Sequence, residues 1–173
     1  MITFHKLTPF SYFHWISVKL QAPFSQKKII MLVGGTGITP MIQALHAILG
    51  GDDDNEVVLF YGSRTQDDIL GFDLLDSWAK ENPKKLKVVH VLSDEPAEGS
   101  KDCSSWTGRR GYINREVIQE EAPSFGPERG DDVIVFVCGP PAMYNALSGP
   151  RGEEEVKGLL ADMGSSKEQV YKF

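Results

Sequence analysis

The stretch MLVGGTGITPM, residues 31–41, decides the fold. An apolar run stops at two glycines, a Thr-Gly-Ile-Thr-Pro turn follows, and an amphipathic pattern begins. Val33 ends a strand in this reading. Thr39 serves as the helix N-cap, and Pro40 takes the first helical position, where its missing N–H is not needed. The N–H groups of Gly35, Thr36 and Gly37 then face whatever lies above the sheet. A helix N-terminus at a strand's carboxyl end favours an anion such as pyrophosphate. Neither familiar phosphate loop fits. Pro40 stands where G-x-G-x-x-G needs its third glycine, and no Gly-Lys-Ser/Thr follows for a Walker loop. A tight strand-to-helix turn with no ligand is the other reading of these residues alone.

Outward from that turn, five apolar runs rich in β-branched or aromatic residues read as strands: Ile29–Val33, Val57–Tyr61, Leu86–Leu92, Val133–Cys138 and Gln169–Phe173. Most are continuous rather than alternating, which suits strands covered on both faces of a parallel sheet. Helical patterns lie between them. Met41, Leu45, Ile48 and Leu49 form one stripe, closed by Gly50-Gly51. Thr65 and Asp68 make a capping box in front of Leu70, Leu74 and Trp78. Asn114 caps a short helix through Val117 and Ile118. Val156, Leu159, Leu160 and Met163 share a face, with Glu153–Glu155 at the positive end and Gly164 at the exit. The expected fold is α/β: a doubly wound, five-stranded parallel sheet of order 3-2-1-4-5 with helices on both faces. Ser93–Trp106 and Ala122–Asp132 read as surface loops.

Composition narrows the function classes. The 173 residues are 41% hydrophobic and 24% charged, enough for one packed domain. A net charge of −6 with no basic stripe argues against nucleic acid as a partner. Cys103 and Cys138 match no metal spacing and read as reduced thiols, so no metal is expected. No segment is long and apolar enough to span a bilayer. The aromatic-rich residues 1–27 read as an arm ahead of a domain running from 28 to 173.

A second turn repeats the first. The strand ending at Cys138 stops at Gly139, and a helix follows Pro140, Pro141, Ala142 and Met143. In a doubly wound sheet the first and fourth strands are neighbours at the switch point, so both turns line one crevice. Two side-chain-poor turns facing each other make a slot for a flat ring, with Cys138 at its mouth. A small buried hydrophobe is the plainer reading of Cys138.

Five motifs, in order, carry a resemblance. Gly34–Pro40, Tyr61-Gly62-Ser63-Arg64, residues 106–113 (WTGRRGYI), Cys138–Met143 and the closing Val170–Phe173 resemble the nicotinamide-nucleotide lobe of the ferredoxin–NADP reductase superfamily. The branch is that of NADH–cytochrome b5 reductase, with the matching lobe of assimilatory nitrate reductase close behind. The resemblance covers residues 28–173. It implies that the turn with Gly35, Thr36, Gly37, Thr39 and Pro40 holds pyrophosphate, with Thr36 near nicotinamide. It implies that Cys138, Gly139, Pro140 and Pro141, continuing to Met143, position the nicotinamide ring for hydride transfer to a flavin, with Phe173 close by. Gly62, Ser63 and Arg64 would flank adenosine. The catalytic candidates are thus Cys138, Thr36 and Phe173.

The family's flavin β-barrel lobe has no counterpart here. Residues 1–27 are too few for a barrel and lack its Arg-x-Tyr-Thr/Ser-Pro-like signature. The expectation is a nucleotide-binding lobe whose partners are a flavin-binding lobe and a haem acceptor such as cytochrome b5. FAD would belong to the full-length enzyme and not be held by this chain. The resemblance implies a cytoplasmic location, with membrane contact only through a parent protein on the endoplasmic reticulum or mitochondrial outer membrane. A nucleotide-binding module without turnover is the alternative.

The adenosine-side charges disagree. Arg64 hints at a 2′-phosphate. Ser93-Asp94 stands where NADPH-using members of the family tend to carry Ser-Arg, and Glu95 and Glu98 follow. A carboxylate accepts ribose hydroxyls and repels phosphate, so NADH is expected over NADPH. His46 is expected to face solvent and His90 to be a satisfied core residue. Cys103, Ser104 and Ser105 have no base beside them.

Overall fold

The computed structural model describes residues 28–52, 54–94, 106–123 and 133–173. The expectations for residues 1–27, Glu95, Glu98, Cys103, Ser104 and Ser105, and for most of both long loops, lie outside the described residues. Within them the chain runs β1 (Lys28–Gly34), α1 (Ile38–Leu49), β2 (Glu56–Ser63), α2 (Phe72–Glu81), β3 (Leu86–Leu92), β4 (Arg109–Arg110), α3 (Arg115–Glu121), β5 (Val133–Cys138), α4 (Pro141–Leu147), α5 (Gly158–Asp162) and β6 (Val170–Lys172). The strands form one parallel sheet of order β4-β3-β2-β1-β5-β6. The five expected strands hold the expected order. The sixth, β4, is an edge pair on Val91 and Leu92. Two arginines carry no apolar periodicity, so nothing in the sequence announced it.

The continuous apolar runs follow from helices on both faces. Along β1, Ile29, Met31 and Val33 join one core with Met41, Leu45 and Ile48 of α1 and Leu75 of α2. Ile30 and Leu32 join the other, with Ile118 of α3, Tyr144 and Leu147 of α4, and Leu160 of α5. Successive side chains leave opposite faces of a strand, so a strand buried twice cannot alternate.

Three helix expectations need correction. The box at Thr65 and Asp68 is present, but it caps a 3-10 turn, Gln66–Asp68. Gly71, at φ +70°, separates that turn from α2. The shift of phase leaves Leu70 and Leu74 exposed (47% and 40%) and buries Leu75 instead. The last helix is shorter than Val156–Met163, because Gly158 sits at φ +63° and breaks the run. Glu153 and Glu155 therefore lie outside it and pair with Lys157, at 2.6 and 3.4 Å. Thr39 is not the cap of α1. That position falls to Gly37, while the Thr39 hydroxyl donates to the Thr36 carbonyl at 3.1 Å. Pro40 accordingly lies in the first turn, not at its first residue. Asn114 does cap α3, its Oδ1 accepting from Val117 N–H at 2.9 Å, and Gly164, at φ +84°, closes α5.

Candidate functional site

The strands β1 and β5 lie side by side, with Val33 opposite Cys138, so the turns that leave them meet. A Cβ built on Gly37 would lie 2.3 Å from the Cys138 carbonyl oxygen and 3.0 Å from Gly139 N. One on Gly139 would lie 2.6 Å from Met143 Sδ, and one on Gly34 2.7 Å from the same sulfur. Gly37 is thus required by the turns' contact with each other, while Gly34 and Gly139 leave room for the Met143 side chain. Gly37 is buried, not open to solvent as a phosphate-facing donor would be. Gly35 is different. Its φ of +53° favours glycine, no atom lies within 4 Å of a Cβ there, and it is exposed beside Thr36.

Above the joined turns lies a cleft of about 1540 Å³. Its walls carry Gly35, Thr36, Gly37, Thr39 and Pro40 from the first turn, Gly62, Ser63 and Arg64 from the end of β2, and Ser93 and Asp94 after β3. Cys138, Gly139, Pro140, Met143 and Phe173 close the other end. Pro141 does not line the cleft. It is the first residue of α4, where its ring sets the helix going.

The floor is tied down by a residue the sequence reading left without a role. Tyr61 is fully buried in β2. Its hydroxyl donates to the Gly35 carbonyl at 3.1 Å and accepts from Leu70 N–H at 3.2 Å. It holds the exposed glycine turn to the segment before α2. Tyr112, 77% exposed, also borders the cleft, as do Asp67, Asp68 and Arg151. An exposed aromatic in the WTGRRGYI motif was the available signal for Tyr112.

At the far end of β2 the conflict of charges has a physical answer. Arg64 Nε donates to Asp94 Oδ2 at 2.8 Å. Ser93 Oγ donates to the other carboxylate oxygen at 3.0 Å. The loops are joined by backbone as well, from Ser93 N to Ser63 O at 3.0 Å and from Asp94 N to Arg64 O at 2.8 Å. Hydrogen bonds from Arg64 and then Ser93 hold the Asp94 carboxyl below its ordinary range. Arg64 is therefore committed to Asp94, and Asp68 adds a further carboxylate that acts on it.

Cys138 is half-buried, and burial pushes its thiol up, with the Tyr144 hydroxyl and then Arg151 opposing. Phe173 is buried, its ring edge-on to Phe136 at 5.4 Å, and its N–H donates to Val137 O at 3.0 Å. His46 is exposed as expected. His90 is not a satisfied core histidine. Its Nδ1 has no hydrogen-bond partner, and its ring sits among Phe72, Tyr61 and Trp106 at 5.2, 5.8 and 6.1 Å. Among the described residues no cluster of His, Cys, Asp and Glu could hold a metal, and no helix is long and apolar enough to cross a membrane.

Comparison with known proteins places this geometry. Residues 31–149 match the family model described as the oxidoreductase NAD-binding domain. NADH-cytochrome b5 reductase 2 of Debaryomyces hansenii is 43% identical over 156 residues, 87% of this chain and 48% of the relative. That of Scheffersomyces stipitis is 42% identical over the same length, covering 87% and 49%. The chain thus spans about half the length of these relatives. Among solved structures, the cytochrome b5 reductase domain of Ulva prolifera nitrate reductase matches with a TM-score of 0.68 and 30% identity, over 85% of this chain and 50% of that one. The CS-b5R domains of human Ncb5or, in an NAD+ form, match with a TM-score of 0.65 and 27% identity, over 85% and 36%.

Proposed function

The chain belongs to the oxidoreductase NAD-binding domain family, and from that premise we propose that it is the NADH-binding lobe of a flavin reductase of the cytochrome b5 reductase type. The observation that carries the proposal is the contact of the two turns beneath one cleft, from Gly37 to the Cys138 carbonyl. Residues 28–173 act as the nucleotide-binding domain, with residues 1–27 as an arm. Pyrophosphate lies over Gly35 and Thr36, at the N-terminus of α1, where backbone donors and the helix dipole favour an anion. Gly37 supports the turn from below, and Thr39 and Pro40 fix the first turn of α1. Adenosine lies against Gly62, Ser63 and Arg64, with Tyr112 offering an exposed aromatic face. The nicotinamide ring occupies the end walled by Cys138, Gly139 and Phe173, with Thr36 across from them. Pro140, Pro141 and Met143 hold that wall in place.

The nucleotide is NADH rather than NADPH. Asp94 is ionised and keeps a lone pair on each oxygen for ribose hydroxyls beyond those taken by Arg64 and Ser93, while Asp67, Asp68 and Asp94 outnumber Arg64 around the place a 2′-phosphate would occupy. Calorimetry with both nucleotides tests this: NADH is expected to bind the more tightly, and tighter NADPH would reverse it. When bound, the nucleotide supplies a hydride. The protein's part is to orient the ring and exclude water, so no acid–base pair is required of this lobe.

The flavin that accepts the hydride belongs to the half of the relatives that this chain does not cover. The acceptor beyond it is a haem protein such as cytochrome b5, reached on the cytosolic side. The similarity to a nitrate reductase domain at 30% identity favours, as second reading, the NADH lobe of such an enzyme. Ferricyanide reduction by NADH, with and without added FAD, separates turnover from binding alone. Binding without turnover is expected of the bare chain. Rapid turnover without added FAD would show that it holds a flavin itself.

A further inference from the structure

Tyr144 has a hydroxyl that its place in the core does not need. It lies in α4, 4% exposed, and packs in the second core with Leu147 and Leu160. An aliphatic side chain would serve that packing. Yet a buried phenol costs free energy unless it is hydrogen-bonded, and the partners of this one are Phe173, in the wall of the cleft, and Val137, next to Cys138 in that wall. The hydroxyl bonds the backbone oxygen of Phe173 and lies 3.3 Å from Val137 O. The Cys138 side chain and the Gly139 backbone act electrostatically on the phenol as well, and the phenol acts on the thiol. One O–H therefore ties the end of β5, immediately before the Cys138–Gly139 turn, to the residue after β6.

We propose that Tyr144 is a positioning residue for the ring end of the cleft: its hydroxyl clamps the Cys138–Gly139 turn to Phe173, so that thiol and aromatic face the nicotinamide as one unit. This rests on the reading of the cleft as an NADH site. Tyr144 borders the cleft itself, but its hydroxyl acts through Cys138 and Phe173.

A phenol has a single hydrogen to donate. With Cys138 neutral, that hydrogen goes to the Phe173 oxygen. A thiolate, being charged, accepts it too. The seat of Phe173 and the ionisation of Cys138 thus compete for one hydrogen. Burial pushes the phenol up to about 12, so it stays a donor throughout the neutral range. Arg151, on the loop after α4, is the charged group acting on both side chains.

The test is Tyr144→Phe, which keeps the ring and removes the donor. The rate of alkylation by iodoacetamide is followed against pH by peptide mass spectrometry, which reads Cys138 separately from Cys103. Dissociation constants for NADH and ADP-ribose are measured beside it. The Cys138 profile is expected to move to higher pH. NADH is expected to bind about three- to tenfold more weakly, the range of one hydrogen bond, with ADP-ribose unchanged. An unmoved profile, or equal losses for both nucleotides, overturns the proposal. Site-specific 3-fluorotyrosine at position 144, a stronger donor of nearly the same shape, should move the profile to lower pH. It decides the matter should Tyr144→Phe fail to fold. If the native chain binds no NADH, the nucleotide reading falls, while the thiol profile still decides whether Tyr144 governs Cys138.

Discussion

Gly37→Ala is the substitution that strikes hardest at the account. The new methyl would lie 2.3 Å from the Cys138 carbonyl oxygen, 2.7 Å from its carbon and 3.0 Å from Gly139 N. All three are backbone atoms, so no rotamer can yield. The turns must separate by nearly 1 Å, against β1–β5 pairing that runs up to Val33 and Cys138. Overpacking of this kind costs about 1–3 kcal/mol, and the upper end applies where backbone opposes backbone. For a domain of this size about 3 kcal/mol lowers the melting temperature by roughly 10 °C. Gly35→Ala is the matched control. It meets nothing within 4 Å but is strained at φ +53°, for about 1–2 kcal/mol. Differential scanning calorimetry should rank the pair clearly, and titration calorimetry should show NADH binding to Gly37→Ala weakened by about tenfold or more, since about 1.4 kcal/mol suffices for that. A Gly37→Ala protein that melts within about 3 °C of the native chain, well under the fall worked above, and binds NADH equally would refute the idea that the touching turns build the site.

Three further outcomes are expected. Tyr61→Phe strips Gly35 O and Leu70 N–H of their shared partner and should cost about 1–2 kcal/mol in urea unfolding; a loss below about 0.3 kcal/mol would show that the hydroxyl does not hold the turn. Asp94→Ala releases Arg64 from its carboxylate and should move the NADPH-to-NADH affinity ratio about tenfold towards NADPH by removing one like charge, whereas Arg64→Ala should move it the other way; the same sign for both would break the charge argument. Burial lowers the pKa of His90 below its ordinary 6.5, so the unfolded chain takes up its proton first as pH falls. The stability that the neutral ring contributes is therefore complete above about pH 6.5 and drains away below it. Unfolding free energies measured from pH 7.5 to 5 should fall, and His90→Phe should flatten that slope; an unchanged slope assigns the acid sensitivity elsewhere.

The order of the sheet was legible in the residues because burial on two faces writes itself as unbroken apolar runs, and the glycine turns mark where those runs stop. The capping pattern at Asn114 was equally local and needed only three residues to be read. Periodicity misjudged α2, because it could not foresee that Gly71 would reset the phase and turn Leu74 outward in favour of Leu75. It missed β4 altogether, since an edge strand of two arginines is defined by its neighbour and not by its own side chains.

The sequence by itself determined that two bare turns end two buried strands, and that charges of opposite sign stand near the adenosine end. Only the tertiary structure decided what those features are for. Gly37 is bare because Cys138 presses on it, a contact spanning a hundred residues of chain. Arg64 and Asp94, ambiguous as separate letters, become one ion pair once β2 and β3 lie side by side. Tyr144 gains its significance from the Val137 and Phe173 oxygens, which only packing brings to one hydroxyl. Local propensity is carried by neighbours in sequence, whereas steric contact and charge pairing depend on distance in space, which no linear pattern contains.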